Sequence, residues 1–468
     1  MKIKNIMGYF TSGLIFKIIY LILVLVSFSS ILLYIPYLKN VLVAASVLLG
    51  GIVLLYRVIH IRRFLKMKYI WLLIAFIGSY GISMLLNLKY GFLEPLQAMV
   101  WMVFQYFILF LKDPEQPREQ TEKEFRIISW VYLIYMLCAS ILSFLQLLFN
   151  HSIMDYTKNP AQLSGLVWGR LWGAYTDPNY GSVLSIVAIF IGIYLVKCYK
   201  NIFVKILCGA NAVIQVLYIA FSDSRTGLVC IAAGGAFYAY VRLIKLPKLE
   251  SRKAAGRVIS CITALCIMCA LFILPRGIQK TYNEIIRLTT TTQTETPSAD
   301  QQIGREQDLE QDISNKRFDL WKSGFEIYRL RPVFGVSMFN AVAFAQEQLP
   351  NTFLVNNDVM IFDNLHNSFL NILLSQGIVG FVIAMIFTVL SAIYVLQGIA
   401  RMRGTRENPD CVRITALASI LITIVASMMF IGDVFYLNSG ASFMFWNILG
   451  MLFVYFEKAN SAKTGDAL

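Results

Sequence analysis

Charge is scarce in this chain. Asp, Glu, Lys and Arg together make up 15% of its 468 residues, against roughly a quarter in an ordinary soluble domain. Apolar residues reach 57%, so what remains is too little to build a water-facing surface. Soluble globular, disordered, collagen-like and coiled-coil classes are excluded together. Histidine is rarer still, with three in the whole chain, which makes the position of each one informative. The eight cysteines have no paired or metal-ligand spacing. Cys138, Cys198, Cys208, Cys230, Cys261, Cys266 and Cys269 fall in or beside apolar runs, where the thiol behaves as a small hydrophobe. Neither a disulfide framework nor a zinc site is expected. No internal repeat stands out. The opening Met1-Lys-Ile-Lys-Asn5 leads into an apolar run of full spanning length without a small-residue cleavage site, so it reads as an anchor and not a removable leader.

What the chain does have is long apolar runs. A membrane-crossing helix needs about 20 predominantly apolar residues, and twelve such runs can be marked: 12–35, 41–58, 69–88, 93–111, 128–149, 180–197, 203–221, 226–244, 257–274, 368–396, 413–432 and 440–457. The expected fold is an all-α polytopic membrane protein with about 12 transmembrane helices. An even number of crossings leaves both termini on one side. The 41 Lys and Arg exceed the 27 Asp and Glu, for a net charge of +14. In a soluble chain that excess would suggest nucleic acid; here the positive-inside rule accounts for it, and no nucleic-acid partner is expected. With the N-terminus in the cytoplasm, 27 of the 41 basic residues lie inside. The inner loops from Arg57 to Lys68, Arg242 to Arg257 and Arg401 to Arg413 are short and basic, whereas the short outer ones hold only Lys39, Lys89, Lys158, Arg170 and Arg225.

Two outer segments are too long to be plain connectors. One is 150–179. The other, 275–365, exceeds ordinary loop lengths and is expected to be functional. It divides the chain into nine spans over 1–274, a large extracytoplasmic loop, and three spans over 366–468. The early part of the loop is Thr- and Gln-rich. After Gly304, Leu309, Ile313, Leu320, Trp321, Phe325 and Tyr328 recur at helical spacing until Pro332 and Gly335. That pattern predicts an amphipathic helix lying at the outer membrane surface.

Ionisable residues are nearly absent from the span interiors; Lys17 and Glu94 sit near span ends. Ion-coupled transporters keep such groups buried as relays, so their absence counts against coupled transport and leaves uncoupled flipping open. The sharper polar residues gather at the outer face, in four clusters. The first is Gly169-Arg-Leu-Trp-Gly-Ala-Tyr-Thr-Asp-Pro-Asn-Tyr-Gly181. Asp177 followed by Pro178 is a helix start, so a capped span beside a snorkelling Arg170 is the plain alternative to a site. The second is Ser222-Asp-Ser-Arg-Thr-Gly227, where Arg225 either pairs with Asp223 or holds an anion; a guanidinium fork suits phosphate oxygens. The third is Lys316-Arg-Phe-Asp-Leu-Trp321, whose Arg317 falls on the apolar stripe, unlike the solvated run Glu306, Asp308, Glu310 and Asp312. The fourth is Asp363-Asn-Leu-His-Asn-Ser-Phe369. His60 lies in a basic inner loop and His151 stands at a span end. His366 is placed by the sequence in a first helical turn, where the positive dipole end favours the neutral imidazole that a general base requires. Capping by Asp363 or Asn364 accounts for its neighbours but not for the histidine. Three arginines and one histidine at outer span ends suit a lipid-linked diphosphate and a base for an attacking hydroxyl.

These residues resemble the O-antigen ligase/polymerase superfamily. The resemblance rests on Gly169-Arg-x-x-Gly-x-x-x-Asp177-Pro-Asn179, Ser224-Arg-Thr-Gly227, Arg317-x-x-x-Trp321 leading to Pro332-x-x-Gly335, and Leu365-His-Asn-Ser-Phe-Leu370 followed by Gly377-Ile-Val-Gly380, and it covers about 165–385. It implies a GT-C-like enzyme of the bacterial cytoplasmic membrane, catalysing inverting, metal-independent oligosaccharide transfer from undecaprenyl diphosphate at the outer leaflet without a cofactor. The implied roles are Arg225 and Arg317, with Arg170, on the diphosphate, and His366 activating the acceptor hydroxyl. Asp177, Asn179, Asp223, Trp321 and Asn367 support them. The first outer connection, Tyr37-Leu-Lys-Asn40, carries no carboxylate pair of the kind metal-using relatives have there. Arg170 and Gly181 have ten residues between them in the manner described for polymerases, while neither Arg305 nor Arg317 has a glycine at that offset. The resemblance therefore points to a polymerase joining lipid-linked repeat units end to end, partnered by a flippase and a chain-length regulator. Ligase-type transfer to a lipid or protein acceptor is the alternative, and a lipid-linked sugar flippase or exporter the more distant one.

Overall fold

In hydrocarbon every backbone N–H and C=O must be bonded within the protein, and the helix does this within one segment. The computed structural model describes residues 13–291, 302–304, 316–357, 361–402, 409–432 and 434–465, except for the side chains of 253, 289–291 and 459–465. The first five long helices are α1 (Leu14–Ser27), α2 (Leu38–Ile59), α3 (Ile70–Leu86), α4 (Leu93–Phe104) and α5 (Arg118–Leu148). A three-stranded antiparallel sheet follows, with β1 (Ile153–Asp155), β2 (Gln162–Val167) and β3 (Arg170–Gly173) in that order. Then come α6 (Pro178–Cys198), α7 (Ile202–Phe221), α8 (Arg225–Ile244) and α9 (Lys253–Thr291). Helices α10 (Arg317–Leu330) and α11 (Ala341–Gln348) belong to the long loop, and α12 (Ser368–Arg401), α13 (Pro409–Ser427) and α14 (Gly440–Gly465) close the chain.

Ten of these helices are long and apolar enough to cross a membrane, α4 with its continuation through Phe110, and α1 and α3 are shorter apolar helices. Each of the twelve coincides with one apolar run of the sequence. The chain is an all-α polytopic membrane protein, with one small sheet in the 150–179 segment that helical periodicity could not foresee. Helix α14 lies at the centre, 89% of its apolar window buried, whereas α9 is peripheral at 17%. Several polar side chains inside the bundle bond to one another: the Gln105 amide donates to Tyr20 Oη and Ser442 Oγ at 3.3 and 3.2 Å, and Ser140 Oγ to Gln215 Oε1 at 3.0 Å.

Two departures from the sequence reading bear on the site. Helix α9 continues through Pro275 to Thr291, well beyond the apolar run. Helix α10 packs part of its apolar stripe against protein. Leu320, Ser323, Gly324 and Ile327 are its buried face, and they enter a separate apolar cluster with Val336, Phe344, Leu354, Leu365 and Leu374. Phe325, expected on that stripe, is exposed. Apolar periodicity reports a face to be covered, and protein covers it as well as lipid. Leu309, Ile313 and the charge run Glu306 to Asp312 lie outside the described residues.

The loop is fastened to the bundle through a broken helix. At Gly377 (φ 59°, ψ −158°) α12 leaves helical geometry. Residues 332–337 pass alongside and take up the freed groups: Val336 N and Ser337 N donate to the carbonyls of Leu374 and Ser375 at 2.9 Å, and Ile378 N donates to Pro332 O at 2.8 Å. From the other side Ser83 Oγ donates to Ser375 O at 2.6 Å, and Asn87 Nδ2 to Gly335 O at 3.1 Å. Gly335 and Gly377 both have positive φ, and a Cβ at either would lie 2.4 Å from backbone of the other strand of this interlock. Gly377→Ala should therefore cost at least about 2 kcal/mol through strain and overlap. It should lower the thermal midpoint of the purified protein, while Gly51→Ala, with open space around it, leaves the midpoint unchanged.

Candidate active site

Four segments distant in sequence meet at one end of the bundle. The first is the sheet. Trp168 and Gly169, both at positive φ, form a two-residue turn that matches strand twist and pairs Val167 with Arg170. Arg170 is buried at 7% exposure. Its Nε donates to Ser222 O and its Nη2 to Asn179 Oδ1, both at 2.9 Å. The second segment is the start of α6, where Asp177 caps the helix by accepting from Asn179 N at 2.6 Å and Pro178 occupies the first turn. The third is the turn Ser222-Asp223-Ser224, with half-buried Asp223 at φ 45°. Ser224 caps α8 by accepting from Gly227 N at 2.9 Å, which fixes Arg225 as the first helical residue. One atom joins the three: Asn179 Oδ1 accepts from Arg170 Nη2 and also from Ser224 Oγ at 2.9 Å.

The fourth segment comes from the long loop. Arg317 opens α10, and its guanidinium carbon lies 5.5 Å from the centre of the Phe430 ring, a cation–π contact. Trp321 Nε1 donates to Leu365 O at 3.1 Å, so α10 holds the strand that carries His366. The histidine is not in a first helical turn. Asn367 caps α12, accepting from Phe369 N and Leu370 N at 3.0 and 3.1 Å, which leaves His366 outside the helix at φ 48°. A side-chain oxygen that satisfies two orphan N–H groups wins the cap position. Asn364 instead accepts from His366 N at 2.8 Å, bracing the left-handed residue, and the Phe362 ring stands edge-on at 6.3 Å.

Electrostatics tie these groups together. Burial depresses the Arg317 pKa, with nearby Asp177 opposing and nearby Arg225 adding to the effect. Burial likewise lowers the His366 pKa below its usual 6.5; Asp177 raises it, Arg317 lowers it and Asp363 raises it. The imidazole is therefore held neutral, by burial and a neighbouring cation and not by a helix dipole. Arg225, Arg317, Asp177 and His366 share one electrostatic environment, while Arg170 directs its fork into the protein. Phe430 and the Asn179–Ser224 link escape sequence reasoning: Phe430 lies 113 residues from Arg317, and no local pattern joins them. Among the described residues no group of three or more His, Cys, Asp or Glu could hold a metal ion.

Residues 210–385 match a family model described as O-antigen ligase. The matched stretch holds Arg225, Arg317 and His366 and stops short of Arg170 and Asp177. The resemblance to the O-antigen ligase/polymerase superfamily thus holds over that part of the chain. A search of curated proteins finds no match.

Because the chain has three histidines, isotope labelling of histidine alone resolves each in an NMR titration. His366 should titrate below 6.5. Arg317→Gln, removing a cation, should move the midpoint up; Asp177→Asn, which keeps a capping side chain, should move it further down. A His366 midpoint at or above 6.5 in the unaltered protein contradicts this electrostatic account.

Proposed function

From the O-antigen ligase/polymerase character of residues 210–385, we propose that the chain is a membrane glycosyltransferase that polymerises undecaprenyl-diphosphate-linked oligosaccharide repeat units at the outer leaflet of the bacterial cytoplasmic membrane. The observation that carries the proposal is the gathering of Arg225, Arg317, Asp177 and a neutral His366 at one end of the spans. The charge distribution of the loops supports an outer position for that end. The four make the parts of an inverting transfer. The two guanidiniums hold the diphosphate and stabilise the charge that develops on it as the sugar–phosphate bond breaks. The His366 imidazole takes the proton of the acceptor hydroxyl as its oxygen bonds to the anomeric carbon, and Asp177 favours the imidazolium so formed. Undecaprenyl diphosphate leaves with the electron pair.

Arg170 serves differently in this reading. With its donors on Ser222 and Asn179, it sets the turn that presents Arg225 and does not grip phosphate itself. The Arg170–Gly181 spacing that favours a polymerase is one built unit. A Cβ on Gly181 would lie 2.5 Å from Tyr218 Oη and 2.9 Å from the Tyr175 ring, and Tyr218 Oη donates to Trp172 O at 3.1 Å. Ligase-type transfer of glycan to a lipid or protein acceptor is the second reading, favoured by the description of the matching family. It uses the same residues.

Glycan-length analysis on a strain lacking the protein separates the two readings. Loss of long chains with single repeat units remaining is the polymerase outcome; long chains stranded on the lipid carrier are the ligase outcome. His366→Ala should lower turnover by about 10²- to 10⁴-fold at an unchanged membrane level, and normal polymer from it would overturn the mechanism in favour of a flippase or exporter. Arg225→Ala and Arg317→Ala should abolish or weaken activity, with Arg225→Lys rescuing poorly because it lacks the fork. Arg170→Ala should weaken activity and also lower the thermal midpoint, since Ser222 O and Asn179 Oδ1 lose a buried charged donor.

A further inference from the structure

One face of α10 is buried on protein, and the face opposite it is exposed. At about 100° per residue, Phe318, Lys322, Phe325 and Arg329 fall within about 60° of one another around the helix axis. Leu320 and Ile327, which are buried, point the other way. Phe318 is 66% exposed and Phe325 46%, and Lys322 and Arg329 are exposed beside them. The stripe thus alternates an aromatic ring with a cation along its length. Past the end of the helix the same mixture continues, with Leu330, Arg331 and Val333 all exposed. The carboxylates of α10 lie off the stripe, and one of them, Glu326, accepts from Thr352 Oγ1 at 2.8 Å.

The neighbours of this face indicate what covers it. Residues 332–337 lie against the break in α12, where Ile378 N donates to Pro332 O at 2.8 Å and Val379 N to Val333 O at 3.3 Å. From that break α12 carries an exposed apolar ridge of Ile378, Val382, Ile386 and Val389, which share one side of the helix. On a helix long and apolar enough to cross a membrane, such a ridge is the surface that meets lipid. Val333 and Leu330 stand where the ridge begins. Helix α10 then leads away from the span: a Cβ on Gly324 would lie 2.4 Å from Leu365 Cδ1, and Trp321 bonds Leu365 O, beyond the start of α12. The order is therefore an apolar edge first, then cations and aromatic rings. A bilayer is layered in the same order, with hydrocarbon, then an interface that favours aromatic rings, then charged headgroups.

We infer that this face is a docking surface for anionic phospholipid of the adjoining leaflet. Phe325, Leu330 and Val333 enter the edge of the bilayer, and Lys322, Arg329 and Arg331 bond headgroup phosphates, which suit a guanidinium fork. The segment that carries Arg317 is then seated on the membrane surface as well as on α12. The inference is independent of the glycosyl-transfer reading, because it is read from lipid contact and not from turnover. The test uses the full chain carrying Phe325→benzoylphenylalanine, in nanodiscs of phosphatidylcholine with a minor share of phosphatidylglycerol, irradiated and analysed by mass spectrometry. Phosphatidylglycerol should appear among the lipid adducts at no less than about twice its share of the bilayer. Arg329→Gln with Arg331→Gln should bring it down to that share. Arg62→Gln with Lys66→Gln, which removes two exposed cations after α2, should leave it enriched. Should the first double variant fail to fold, Lys322→Gln serves in its place and should lower the enrichment. Adducts confined to the chain itself would mean that protein covers the face. That result, phosphatidylglycerol at its bulk share, an enrichment that survives the loss of Arg329 and Arg331, or an equal loss in both double variants would each overturn the docking surface.

Discussion

The break in α12 at Gly377 is the constraint on which the arrangement of the site rests. Unpaired backbone groups inside a membrane span cost several kcal/mol each, so a broken helix persists only where another segment supplies partners. Residues 332–337 supply them through hydrogen bonds to Leu374, Ser375 and Ile378. The loop segment 316–337 is thereby joined to the membrane-spanning helices. Helix α10 ends just before this interlock, and its buried face packs on Leu365 and Leu374. Both ends of the segment that carries Arg317 and His366 are thus tied to one span, and their separation is set by backbone geometry.

Within that frame the charges are few and shared. Asp177 caps α6 through one oxygen and acts electrostatically on both Arg317 and His366. Capping holds it in place, since a carboxylate bonded to a backbone N–H gives up orientation for charge-assisted strength. A fixed anion there favours the charged form of both Arg317 and His366. It keeps the guanidiniums from repelling each other out of the site, and it offsets part of the burial that depresses the histidine. The proposed base is neutral at rest and still able to accept a proton. A helix dipole could not do this for His366, because the residue lies beyond the cap and the dipole acts only within the first turn.

Most of the fold was legible in the sequence because a bilayer makes a strong and simple demand. Twenty apolar residues in a row have few other uses, and all twelve runs became helices. The cap at Asp177-Pro178 was legible for a local reason, as side chain and N–H lie two residues apart. What escaped was everything decided by a partner distant in the chain. Phe325 and Ile327 differ by two positions on α10, and only the position of Leu365 and α12 decides which one is covered. His366 was assigned to a helix because apolar residues follow it, yet Asn367 offers the better cap. The sheet at 153–173 is too short and too rich in turn residues for alternation to register. Lys17 read as a residue at a span edge, with no sign that Arg57, Lys112 and Glu124 would close over it.

Arg170 shows how a site residue found by sequence can change meaning without losing importance. An arginine at an outer span end invites a phosphate, and Arg225 and Arg317 keep that reading. Arg170 immediately follows a turn with both positions at positive φ, and the strand pairing turns it inward. There its planar fork bonds a carbonyl at the end of α7 and an amide at the start of α6. A lysine has one charged nitrogen and no fixed plane, and could not hold both at once. The same geometry that would suit a phosphate suits this joint, so arginine at a motif position identifies the need for a fork and not the ligand it grips. For the active site the consequence is a division of labour. One arginine is spent on fixing the turn at Ser222 to Ser224, and the next, Arg225, can then project from a helix start whose position no longer depends on what it binds.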